Sequence, residues 1–148
     1  MIIRKLKEEE IPLLYEIELE TFKKSAWSQE SFKYEYHNKH SYQFVVEYKN
    51  NIIGYAIIWI FEDESHLVNF AIKKEFRKKG FGEKLLKFVI DFSIKKGVNY
   101  IYLEVREKNI PAVSLYKKFN FIIVHKRKKY YNNNEDALIM VKKLKDKE

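Results

Sequence analysis

Chemical potential concentrates in one stretch, Phe76-Arg77-Lys78-Lys79-Gly80-Phe81-Gly82. It holds two of the four glycines, two residues apart, beside three consecutive cations. Gly80 can take a positive φ without a Cβ penalty, and Gly82 would let backbone come close to a ligand. A strand-like run ending Leu67-Val68-Asn69-Phe70-Ala71-Ile72 precedes the stretch, and a helical pattern from Glu83 to Lys96 follows it. Strand, basic glycine turn and helix, in that order, aim bare N–H groups and a positive helix end at an anion. The bland alternative is a basic turn that only starts a helix.

Glu104 is the second chemical feature. It is the one acid within an apolar strand pattern, Tyr100-Ile101-Tyr102-Leu103-Glu104-Val105. A buried carboxylate is costly without a partner. The pattern therefore predicts either an edge ion pair with Arg106 or a neighbouring lysine, or a chemical role.

Several chemistries are absent. The glycine spacing is G-x-G only, with no terminal acid on a strand about twenty residues later, so this is not a dinucleotide fingerprint. No G-K-S/T closes a phosphate loop, and no G-x-S-x-G marks a serine hydrolase. Lys79-Gly80-Phe81-Gly82 matches the start of an RNA-recognition pattern. Glu83 and Lys84 then stand where an aromatic and a valine are needed, and the period is helical. His37, His40, His66 and His125 show no metal-ligand spacing, and no metal is expected. With no cysteine in the chain, thiolate nucleophiles and Cys-ligated zinc are excluded.

These residues need elements to hold them. The 148 residues suit a single domain, 1–148, and 46% hydrophobic with 16% aromatic composition can fill a core. Ile2 to Leu6 predicts a strand. Glu8-Glu9-Glu10 opens a helix whose apolar face is Ile11, Leu14, Tyr15, Leu19 and Phe22, with Pro12 tolerated near its start. Ser28 caps a second helix, Gln29 to His37, and Trp27 lies at the junction. Tyr42 to Tyr48 and Ile52 to Phe61 predict a hairpin around Lys49-Asn50-Asn51. Strict alternation puts Ile52, Gly54, Ala56, Ile58 and Ile60 on one face and Ile53, Tyr55, Ile57, Trp59 and Phe61 on the other. Glu62-Asp63-Glu64-Ser65 reads as a loop before the strand His66 to Ile72. Leu85, Leu86, Val89, Ile90 and Phe92 form the buried side of the main helix, and Gly97 ends it. Tyr100 to Val105 is then parallel to the strand before the loop. Asn109 caps a helix with Pro111 just inside, and Phe121 to Lys126 and Ala137 to Lys143 are the last strands. The expectation is an α+β fold with a mixed sheet and helices on both faces.

The loop, Asn69-Phe70-Ala71-Ile72, Leu103-Glu104-Val105-Arg106 and Asn109-x-x-Ala112-x-x-Leu115-Tyr116-x-x-Phe119-x-Phe121 together resemble the GNAT family of acetyl-CoA N-acetyltransferases. Ala26-Trp27-Ser28 and Tyr130-Tyr131…Glu135-Asp136-Ala137-Leu138-Ile139-Met140 are similar to its RimI-type branch, which acetylates the N-terminal alanine of a small-subunit ribosomal protein. The GNAT fold so implied has a mostly antiparallel sheet with a central parallel pair splayed at the cofactor site. Asn120 stands where the family usually has Gly, and Asn also accepts positive φ.

The resemblance implies roles. Arg77, Lys78, Lys79, Gly80, Phe81 and Gly82 would hold the CoA pyrophosphate. Phe70, Ala71 and Ile72 would offer backbone groups to the pantetheine arm, and Asn109 a side-chain contact beside its capping role. Glu104 would be the general base, acting through water, with burial raising its pKa. Tyr116 would protonate or orient the departing thiol, against the plainer reading of core filling. Trp27, Tyr130 and Tyr131 would line the acceptor entrance. Partners implied are acetyl-CoA and a protein N-terminus. Another N-terminus, a lysine or a polyamine is the enzymatic alternative, and a basic RNA-binding module the non-enzymatic one. The charge of +8 does not favour a cationic acceptor, although Glu62-Asp63-Glu64 could steer one. With no apolar run long enough to span a bilayer, no membrane role and a cytoplasmic location are expected, and the broken RNA-recognition pattern leaves no direct nucleic-acid role expected.

Overall fold

The computed structural model describes residues 1–130 and 135–144. Its elements are β1 (Ile2–Lys5), α1 (Ile11–Phe22), α2 (Gln29–His37), β2 (Ser41–Tyr48), β3 (Asn51–Phe61), β4 (Glu64–Ile72), α3 (Phe81–Lys95), β5 (Tyr100–Arg106), α4 (Ile110–Lys118), β6 (Ile122–Arg127) and β7 (Ala137–Lys143). The strands form one sheet in the order β1-β2-β3-β4-β5-β7-β6. β4 and β5 run parallel, and the other pairs are antiparallel.

Helices cover both faces, as the alternating and helical patterns require. On one face Leu85, Leu86 and Val89 of α3 and Val113 and Tyr116 of α4 pack with Ala56, Ile58, Leu67, Leu103 and Met140. On the other, Ile11, Leu14 and Ile17 of α1 and Phe32 of α2 pack with Val45, Tyr55, Ile57 and Ala71. Each fully buried aliphatic side chain contributes roughly 1.5–3 kcal/mol.

The predicted turn chemistry is present. Ser28 Oγ accepts from Ser31 N at 3.1 Å and Asn109 Oδ1 from Ala112 N at 3.3 Å, capping α2 and α4. Asn120 takes φ +70°, the left-handed conformation its place in the turn requires. Glu64 and Ser65 belong to β4 rather than to the preceding loop, and Glu8–Glu10 is a separate 3-10 turn.

Two predicted faces change. In α1, Leu19 is exposed, whereas Ile17 and Glu18 are buried. The helix is covered by the sheet on one side and α2 on another, so its buried arc is rotated from the simplest apolar stripe. In β3, the register with β2 shifts between Val46 and Glu47, leaving Ile53 as an extra residue. A bulge moves side chains to the opposite face. Ile53 therefore joins Ala56 and Ile58, and Ile52 packs on the α1 and α2 side.

A second bulge shapes the centre of the sheet. β4 carries an extra residue, Val68, between the pairs Ile58↔Leu67 and Ile57↔Asn69. The parallel pairing of β4 with β5 runs from Glu64↔Tyr100 to Leu67↔Leu103 and stops there. Beyond it β4 stays paired with β3 as far as Ile72↔Gly54, while β5 stays paired with β7. The strands part, and the β5-facing backbone edge of residues 68–72 leaves the ladder. Gly54 permits the close contact behind this edge, since a Cβ there would lie 2.8 Å from the Ala71 carbonyl oxygen.

Candidate active site

The parting of β4 and β5 gathers the predicted residues. Phe70, Ala71 and Ile72 form its β4 side, and Glu104 is the first β5 residue beyond the last parallel pair. Tyr116 reaches it from α4: its ring meets Phe70 edge-on at 6.2 Å and Phe121 at 5.8 Å. Burial pushes the Tyr116 phenol well above its ordinary range, so it keeps its proton.

The glycine stretch sits at the end of β4. Arg77, Lys78, Lys79 and Gly80 are exposed, and α3 begins at Phe81. Gly80 adopts φ +89°, and a Cβ there would have no neighbour within 4 Å. Conformation, not space, selects glycine at this position. At Gly82 a Cβ would make only ordinary contacts, 3.6 Å to Leu115 and 3.8 Å to Ile72, so no protein neighbour requires its absence. Phe81 is a core residue, its ring 5.0 Å from Tyr48 and 6.1 Å from Phe76. Only its backbone can face a ligand, and the ring is unavailable for stacking on a nucleobase. Arg77 donates from Nε to the Ile72 carbonyl at 2.8 Å and from Nη2 to Thr21 Oγ1 at 3.1 Å. It fastens the loop to β4 and α1. Lys79 lies over the Phe76 ring at 5.9 Å.

Glu104 departs from expectation. Its side chain is 32% exposed, not buried, and its carboxylate stands 3.8 Å from Arg127 on β6. Alternation explains this: Leu103 and Val105 take the buried face, and Glu104 points to the other side. Among the described residues Arg127 is a cationic partner, its long side chain reaching over β7 from β6.

Two connections border the far side of the gap. The α1–α2 connection carries Trp27, half-buried, with its ring 5.4 Å from Phe32. The β6–β7 connection carries Tyr130, whose ring lies 5.1 Å from the Arg127 guanidinium. Tyr131 lies outside the described residues. Arg106, at the end of β5, donates to Ser25 Oγ at 2.5 Å and to Glu135 Oε2 at 2.8 Å, so it links both connections. Asn109 is exposed at the N-terminus of α4.

Sequence reasoning missed Arg127, the tethering role of Arg106 and a buried cluster around Glu18. Glu18 is 1% exposed and accepts hydrogen bonds from Tyr55, Asn69 and the Trp27 backbone. A signal was present, since Glu18 follows Leu14 by four and Ile11 by seven, an acid on an apolar stripe.

The arrangement can hold an acyl thioester. A free backbone edge on β4 suits an extended amide-bearing arm, and the N–H groups at the start of α3 suit a diphosphate. Among the described residues no group of three or more His, Asp or Glu side chains is placed to hold a metal ion, and no helix is long and apolar enough to cross a membrane.

Comparison with known proteins agrees with this geometry. The model of the acetyltransferase (GNAT) family matches residues 11–121. A Bacillus subtilis (strain 168) relative, provisionally named a ribosomal protein bS18-alanine N-acetyltransferase, is 39% identical over 140 residues, 93% of this chain and 92% of its own. The ribosomal protein bS18-alanine N-acetyltransferase of Escherichia coli (strain K12) is 30% identical over 141 residues, covering 93% and 94%. A crystal structure of a ribosomal protein alanine N-acetyltransferase from Escherichia coli superposes with a TM-score of 0.91 at 29% identity, over 99% of this chain and 96% of that one.

Proposed function

The chain belongs to the GNAT acetyltransferase family, and on that premise we propose that residues 1–148 form one domain that acetylates the N-terminal α-amine of an alanine-led ribosomal protein. The parting of β4 and β5, with Glu104 and Tyr116 at its two sides, carries this reading. The acceptor class follows the names of the two sequence relatives.

Acetyl-CoA supplies an acyl group already activated as a thioester. Backbone groups of Phe70, Ala71 and Ile72 would hold its pantetheine arm and polarise the thioester carbonyl. Backbone N–H groups from Gly80 to Gly82, with Lys78 and Lys79 nearby, would take the pyrophosphate, and Arg77 would hold that loop in place. Asn109 would add a contact from the start of α4. Glu104 would accept the proton of the incoming amine, directly or through water. Tyr116, kept protonated by burial, would give a proton to the departing sulfur. The chain has no cysteine to carry the acetyl group, so the amine attacks directly in a ternary complex.

A carboxylate open to solvent is matched to an amine that needs little help. An α-amine, with a pKa of about 7.7–8.0, fits better than a lysine near 10.4. Trp27 and Tyr130 would line the entrance for the acceptor chain. The reading places the protein in the cytoplasm, where a newly made ribosomal protein presents its N-terminus.

Thiol release from acetyl-CoA with a panel of acceptors tests the proposal. Ala-led peptides should show the highest kcat/KM, above Ser- and Met-led peptides, an internal lysine and spermidine. Preference for lysine or spermidine would overturn the acceptor class.

A further inference from the structure

We infer that Glu18 is a positioning residue that sets the shape of the acceptor loop, an inference that rests on the acceptor reading above. The carboxylate is buried at 1% exposure on α1, yet it takes no part in the chemistry just described. Its two oxygens serve different parts of the fold. Oε1 accepts from the Tyr55 hydroxyl on β3 and from Asn69 Nδ2 on β4 at 2.7 Å. Oε2 accepts from the backbone N–H of Trp27 at 2.9 Å. One side chain therefore bridges the sheet and the connection between α1 and α2.

Both ends of this bridge border the site. Asn69 immediately precedes Phe70, Ala71 and Ile72, the free edge of β4. Trp27 immediately precedes Ser28, the N-cap of α2, so its N–H lies outside any helix or ladder and needs a partner from elsewhere. Glu18 provides that partner and fixes where the loop turns into α2. From the other side Arg106, two residues beyond Glu104, holds Ser25 at 2.5 Å. The loop is pinned between an inner carboxylate and an outer guanidinium, both attached to the strands that form the gap.

A carboxylate is the group this position requires. Three donors converge on it, and a carboxylate has only acceptors. In Glu18→Gln the amide oxygen can satisfy the two sheet donors, but its NH₂ then faces the Trp27 N–H, donor against donor. The substitution keeps shape and volume while releasing the loop selectively. Tyr55→Phe is the contrasting change. It removes a buried hydrogen bond from the same carboxylate and leaves the Trp27 bond in place.

The 148-residue chain is compared as wild type, Glu18→Gln and Tyr55→Phe. Acetylation kinetics with an Ala-led peptide, acetyl-CoA affinity by calorimetry and amide hydrogen exchange are measured for each. Glu18→Gln should raise the acceptor KM about tenfold, as expected for loss of a hydrogen bond to a charged group. Its acetyl-CoA affinity should stay within about twofold, and exchange should accelerate about tenfold or more at Trp27 but not along β4. Tyr55→Phe should lower the melting temperature while leaving the acceptor KM within about twofold. Unchanged Trp27 exchange in Glu18→Gln would overturn the inference. So would an acceptor KM that rises equally in both variants, or an acetyl-CoA affinity that falls as far as the acceptor's. If wild type acetylates no peptide of the panel, the acceptor reading fails, and with it the acceptor half of the inference. The exchange rates then decide by themselves whether Glu18 holds the loop.

Discussion

Glu104 Oε1 and Arg127 Nη1 stand 3.8 Å apart, reaching from β5 and β6 across the strand between them. The pair places a cation beside the carboxylate proposed to receive the acceptor's proton. Because both side chains are solvent-accessible, the pair itself is worth little, about 0.2–1 kcal/mol. Glu104→Gln should therefore leave the melting temperature almost unchanged and lower kcat/KM about 100-fold, the low end for general base catalysis. Thiol-release kinetics and a thermal melt on the same sample check this. Undiminished turnover would remove Glu104 from the mechanism.

Tyr116→Phe separates the hydroxyl from the ring. The ring contacts to Phe70 and Phe121 survive, so the melting temperature should hold. Only proton delivery to sulfur is lost, so kcat should fall roughly 10²-fold while the KM for acetyl-CoA changes little. A loss confined to the KM for acetyl-CoA would assign the hydroxyl to binding instead.

Alkaline pH should destabilise the fold through two tyrosines. Burial raises the phenol of Tyr55, helped by the Glu18 charge, and burial alone raises that of Tyr116. The unfolded chain releases these protons near pH 10, whereas the folded chain keeps them. Their contribution is thus complete below about pH 10 and declines as pH rises above it, by up to about 1.4 kcal/mol per pH unit for each group. Denaturant titrations from pH 8 to 11.5 should show this decline, with a shallower slope in Tyr55→Phe. An equal slope in the two proteins would refute the assignment.

Gly54→Ala and Gly80→Ala should fail for different reasons. At Gly54 the new methyl would meet Ile72 Cδ1 at 2.5 Å and the Ala71 carbonyl oxygen at 2.8 Å. The side chain can move but the carbonyl points at β3 within the β3–β4 pairing, so β4 itself must shift, and a loss of about 1–3 kcal/mol and weaker acetyl-CoA binding are expected. At Gly80 there is room, and the cost is the positive φ, about 1–2 kcal/mol. Denaturant melts and calorimetric acetyl-CoA affinity check both. A neutral Gly54→Ala would mean that β3 and β4 adjust more freely than their pairing implies.

Arg77→Lys tests the latch. Lysine keeps the charge but cannot donate in one geometry to both the Ile72 carbonyl and Thr21 Oγ1. Acetyl-CoA affinity should fall several-fold at unchanged net charge. Wild-type affinity in Arg77→Lys would show that charge alone suffices.

Local patterns carried much of this molecule. The order of elements, the caps Ser28 and Asn109, the left-handed Asn120 and the basic turn ending at Gly80 were all legible, since each depends on residues close in sequence. The candidate base and the candidate proton donor were legible too, as an acid in an apolar strand and a tyrosine on the following helix. Tertiary structure decided which way those groups face and what they touch. The faces of β3 exchanged at Ile52 and Ile53 because a bulge is set by pairing with β2, not by the strand's own residues. Glu104 proved accessible because its side of the sheet lies uncovered there, and Arg127 became a partner because the sheet order sets β6 two strands from β5, within reach of an arginine side chain. Tyr55 and Asn69 lie 37 and 51 residues along the chain from Glu18, the carboxylate they share. Periodicity reports one element at a time, whereas a buried charge is stable only where donors from several elements converge. That convergence exists only after the sheet and helices have packed.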